Sequence, residues 1–143
     1  MGLFDPSPDS LALSPAEALA AICLVAIAAD GYLSNQESRE MDMLLSRMRL
    51  FKSYSSEMVN RMKDGLLQKL QQYSPSRLVE AANAVLPVEL KPTAFALATD
   101  LVLADGNVTP QEQAFLDDLH RILEIPSEQA LTIVEVMTIK NRG

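Results

Sequence analysis

Two stretches hold the residues whose types and spacing could do chemistry. Residues 29–37 read ADGYLSNQE and residues 104–112 read ADGNVTPQE, so an Asp-Gly and a Glu recur in one frame, 75 positions apart. Carboxylates brought together by two such loops are hard oxygen donors, a set that suits Ca²⁺, Mg²⁺ or Mn²⁺ better than zinc. The candidate ligands are Asp30, Glu37, Asp105 and Glu112. The shared pattern D-G-x-[LV]-[ST]-x-x-E has the spacing of the second half of an EF-hand loop, where Asp or Asn, Gly, an apolar residue and a bidentate Glu follow one another. Its first half is missing, because Ala26 and Ala28 in one copy, and Leu101 and Leu103 in the other, stand where the first and third ligands belong. Neither loop can therefore surround an ion alone.

The same residues also read as helix punctuation. Gly31 and Gly106 suit the left-handed position after a helix, and Ser34 and Thr109 suit the cap of the next. Glu37 and Glu112 are then the reciprocal partners in a capping box, and Leu33 and Val108 the apolar staple. Asp30 and Asp105 are left over, since a carboxylate at a helix C-terminus meets the negative end of the dipole at a cost of about 0.3–1 kcal/mol. A divalent cation would offset that cost, and so would an Asx-type turn that accepts loop amides. Both readings stand at this level.

The elements that must position these loops are helical. With 143 residues, 48% hydrophobic, no Trp and only five Gly, the chain can fill one core, and its Ala, Leu and Met favour helices over strands. Capping grammar and 3.6-residue periodicity predict helices over 15–29, 35–50, 55–72, 75–86, 88–104, 110–123 and 127–140, preceded by an irregular arm over 1–13 that packs through Leu3, Phe4, Leu11 and Leu13. Residues 14–143 form the helical domain. The helices before each Asp-Gly are apolar on nearly every side, as central elements are. Those after it carry single stripes, Met41, Leu44, Leu45, Met48 and Phe51 in one, Phe115, Leu116, Leu119, Ile122 and Leu123 in the other. The chain is thus expected to be an all-α, compact single-domain bundle of about seven helices with an internal helix-loop-helix pseudo-repeat.

A formal charge of −7 disfavours nucleic acid and anionic lipid and leaves cations or a basic protein surface as partners. The apolar run at residues 15–29 is about 22 Å long as a helix, short of the ~30 Å hydrocarbon core, so no transmembrane segment is expected. Acidic rather than basic residues precede that run, which does not suit a secretory signal, and a cytoplasmic location follows. Cys23, the single cysteine, reads as a small core residue. His120 reads as a satisfied histidine. A di-iron bundle would need a second such histidine, and the repeat has Leu45 at that place. Asp100 is either a buried, hydrogen-bonded carboxylate or a further ligand near the second loop. The methionines, Met41, Met48, Met58 and Met62 among them, read as core filler, with an exposed subset suited to a groove for partner helices. Arg47, Arg49 and Lys52 read as a solvated face.

At the stretches Ala29 to Glu37 and Ala104 to Glu112 the chain resembles the tellurite-resistance TerB-like family, compact all-helical domains with the motif A-D-G-x-[VIL]-x-x-x-E between two helices. The likeness extends over residues from about 14 to 140. It implies divalent-metal binding through Asp30, Glu37, Asp105 and Glu112, a role in stress or metal (tellurite-type) resistance, and action through a protein partner. The family's Lys-rich amino-terminal part is replaced here by an acidic arm. The expectation is a non-enzymatic, cation-binding domain, with a metal-free protein-interaction module as the alternative. An enzyme using the four carboxylates for metal-assisted hydrolysis is a third class, disfavoured by the lack of a nucleophile triad or phosphate loop.

Overall fold

A computed structural model describes residues 11–29, 31–104 and 106–142. Seven helices follow in order: α1 (Pro15–Ala28), α2 (Asn35–Ser46), α3 (Ser56–Gln72), α4 (Pro75–Val85), α5 (Lys91–Leu103), α6 (Pro110–Ile122) and α7 (Ser127–Lys140). The described residues contain no strand.

Local chemistry explains where the helices start. Ser14 caps α1 by accepting from Glu17 N, while Glu17 Oε1 accepts from Ser14 N at 2.8 Å, and Pro15 takes the first helical position, where no amide is needed. Ser55 and Ser74 cap α3 and α4 through single hydroxyl acceptors, each such cap contributing roughly 1 kcal/mol.

Two boundaries differ from expectation by more than one residue. The second helix ends at Ser46, not 50: the Ser46 hydroxyl donates back to Met43 O, Met48 turns extended (φ −92, ψ 138), and a 3-10 turn over Arg49–Phe51 swings Phe51 into the core. The fifth helix begins at Lys91, not 88. Pro92 has no amide for an α-helical bond four residues back, so Val88–Leu90 form a separate 3-10 turn and Pro92 sits in the first turn of α5.

Central α1 is sheathed by α4, α5 and α3, and residues 18–25 are essentially inaccessible to solvent. That is why its sequence shows no polar face. The second apolar helix, α5, packs on α1 and α7. Met41 and Leu45 from α2, and Leu116 and Leu119 from α6, close the core from outside, with Leu11 and Leu13 of the arm also buried. Leu3 and Phe4 lie outside the described residues.

The repeat is visible in the packing. Val25 of α1 shares a cavity wall with Phe115, Asp118, Leu119 and Ile122 of α6, and Asp100 of α5 shares one with Glu40, Met43, Leu44 and Arg47 of α2. On the 75-residue offset these are the same positions. Matching positions of the two repeats thus line matching clefts, while α2 also packs on its own α1 and α6 on its own α5.

Candidate functional site

Both acidic loops fold alike wherever they are described. Gly31 takes φ 87 and Gly106 φ 82, the left-handed region that glycine enters without a Cβ penalty. Each returns its amide three residues back, Gly31 N to Ala28 O at 2.8 Å and Gly106 N to Leu103 O at 3.0 Å, which closes the end of α1 and of α5. Ser34 then caps α2 and Thr109 caps α6, each accepting from the amide of its Glu at 3.1 Å. Glu37 Oε1 accepts from Ser34 N at 3.1 Å and Glu112 Oε1 from Thr109 N at 2.9 Å, so both capping boxes are complete.

Two of the four candidate ligands are thus placed. Glu37 and Glu112 are half-buried cap partners, each with one carboxylate oxygen on an amide. A carboxylate has two oxygens and about four lone-pair sites, so capping is compatible with a further cation contact. Asp30 and Asp105 lie outside the described residues. Among the described residues no group of three or more His, Cys, Asp and Glu side chains could hold a metal, and of the candidate set only Glu37 and Glu112 belong to that range.

The loops differ in their surroundings. Gln71, at the end of α3, donates to Gly31 O at 3.0 Å and lies against the first loop, whereas a Cβ on Gly106 would meet nothing. At the helix ends, α3, α6 and α7 carry a basic residue in the last turn, while α1, α2, α4 and α5 carry none; of these four, α1 and α5 run into Asp-Gly. The negative poles of α1 and α5 are thus left without a neighbouring Lys or Arg on the helix itself.

Other singled-out residues resolve. Buried Asp100 accepts from Lys140 Nζ at 3.1 Å and Asn141 Nδ2 at 2.8 Å, both on Oδ1, so it ties the end of α7 to α5. His120 has Nδ1 3.3 Å from Ile125 O and stands edge-on to Phe95. Burial pushes the Cys23 thiol up to about 12, where it stays protonated. Met41 is core, but Met43 and Met58 are exposed, because they fall on the outward faces of α2 and α3.

Sequence reasoning missed Lys63, a buried lysine whose ammonium donates to Ser38 Oγ at 2.6 Å and lies 2.6 Å from Asp42 Oδ1. A signal existed. Lys63 shares the helix face of Leu66 and Leu70, and a cation at a core-facing position demands a carboxylate nearby.

No curated protein and no solved structure matches the chain significantly. The family model described as tellurite resistance protein TerB matches residues 16–133, from the first turn of α1 into α7, and spans both acidic loops. The chain belongs to the tellurite resistance protein TerB family.

Proposed function

We propose that this TerB domain is a cytoplasmic, non-enzymatic module that holds a divalent cation at its paired acidic loops and engages a protein partner in a stress or metal-resistance role. Asp30, Glu37, Asp105 and Glu112 would hold the ion, with Ca²⁺, Mg²⁺ or Mn²⁺ favoured over zinc by the all-oxygen donor set. Bound there, an ion would supply positive charge beside two helix C-termini. The observation that carries this proposal is the absence of any basic residue in the last turns of α1 and α5, each of which is followed by an acidic Asp-Gly. Left uncompensated, each carboxylate so placed costs about 0.3–1 kcal/mol, and a cation offsets the two together.

A second reading is favoured by the completed capping boxes. They account for Ser34, Glu37, Thr109 and Glu112 without any ion, as a metal-free interaction module requires. An amide-resonance titration of chelator-treated protein with each of the four cations separates the two. Cation binding predicts that residues 30–37 and 105–112 shift together. Failure of all four ions to move either segment leaves only the interaction module. Glu37→Gln with Glu112→Gln sharpens the contrast, because Gln retains the capping oxygen but not the charge. Cation binding then weakens while stability changes by only a few tenths of a kcal/mol.

A further inference from the structure

A groove of about 500 Å³ runs between α2, the 3-10 turn and the start of α3, away from both acidic loops in sequence. Met43, Phe51, Tyr54 and Val59 give it apolar walls. Phe51 and Tyr54 stand edge to face at 5.0 Å, a rigid pair, whereas Met43 is 59% exposed and unbranched, able to adapt to what it meets.

The groove lining carries one carboxylate, Asp42, and one ammonium, Lys52, but the chain segment beside it is basic, against the charge of the molecule. Between Asp42 and Glu57 the chain has no acidic residue but contains Arg47, Arg49 and Lys52. The two flanking carboxylates are already neutralised from α3: Asp42 by buried Lys63 at 2.6 Å, and Glu57 by Arg61 at 2.8 Å. Arg49 and Lys52 are exposed and, three residues apart on a 3-10 turn, lie on one face; among the described residues neither is paired with a carboxylate. Screening at physiological salt confines the reach of the −7 net charge to about 8 Å, so a ligand at the groove meets these local cations first.

We propose that this groove docks an acidic peptide segment of a partner protein, one that seats an apolar side chain between Met43 and the Phe51–Tyr54 pair and sets carboxylates against Arg49 and Lys52. It deepens the partner half of the function proposed above and is independent of the cation half.

The test is selection of displayed random short peptides on the intact protein, followed by affinity measurement of the winners. Glu- and Asp-rich sequences around Phe, Leu or Met are expected. Their affinity should fall about tenfold or more in Arg49→Glu/Lys52→Glu, and again in Met43→Glu, with the far-UV spectrum unchanged. Asp30→Asn/Asp105→Asn should bind them as the natural chain does, whatever the outcome of cation titration. The proposal is overturned by no enrichment, by basic winners or by affinity that survives charge reversal. It is also overturned by peptide loss in the Asp variant, or by tighter binding of anionic vesicles or oligonucleotides at the same residues.

Discussion

Severing the Lys63–Asp42 pair should cost very different amounts from its two ends. Lys63 has a side chain 5% exposed, while that of Asp42 is 42% exposed. Asp42→Ala strands a buried ammonium with only the Ser38 hydroxyl and, at 3.5 Å, its carbonyl. Breaking fully buried pairs costs about 3–5 kcal/mol, and the partial solvation of Asp42 reduces the expected loss here to about 2–3 kcal/mol. Lys63→Met keeps the apolar stem and removes the buried charge; it leaves Asp42 Oδ1 buried without a donor, but on a side chain 42% exposed overall, so about 1 kcal/mol is expected. For a chain of this size the two losses correspond to melting-point drops of roughly 6–12 °C and under about 4 °C. Urea unfolding followed by far-UV circular dichroism, with equal m-values across the set, gives the free energies. The double variant should cost no more than Lys63→Met alone, since the stranded charge is then gone. Lys63→Met proving the more damaging single change would refute the account of this pair.

Gly106→Ala should cost about 1 kcal/mol from backbone strain alone, given φ 82 and the open space around the added Cβ, with Gly106→Asn costing less; chemical denaturation reads both. Cys23 should resist thiol reagents in the native state and react freely in urea. Its folded value lies near 12 against 9.0 unfolded, so the neutral thiol stabilises the fold below pH 9, and that contribution is lost as the pH rises toward 12, measurable as a falling melting point. Removing Lys140 and Asn141 side chains together should cost about 1–2 kcal/mol by leaving Asp100 without its two donors. Asp100→Val, which places the residue found at the equivalent Val25, should cost less than that double change in the same thermal assay.

Much of the fold was legible because capping residues and periodicity act locally. Ser14 with Glu17, Ser34 with Glu37 and Thr109 with Glu112 announced three helix starts, and the all-round apolarity of α1 and α5 announced the centre of the bundle. The misread boundaries lay where local preference yields to tertiary demand, as when Met48 turns extended to carry Phe51 inward. The clefts shared between the repeats were not legible, because the stripe on α2 records burial and not the identity of the helices it meets. Lys63 escaped notice for the opposite reason: its partners Ser38 and Asp42 lie on another helix, and only proximity in space reveals them. At the loops, the punctuation half of the motif is accounted for residue by residue, and Asp30 and Asp105 lie outside the described residues, so the cation half rests on charge and on family.

Calorimetric titration of chelator-treated protein tests that half most directly. If the two loops share an ion, calcium, magnesium or manganese binds with one-to-one stoichiometry, and either Asp30→Asn or Asp105→Asn alone abolishes most of the affinity. Two independent equivalents, or heat unchanged by both substitutions, would contradict it.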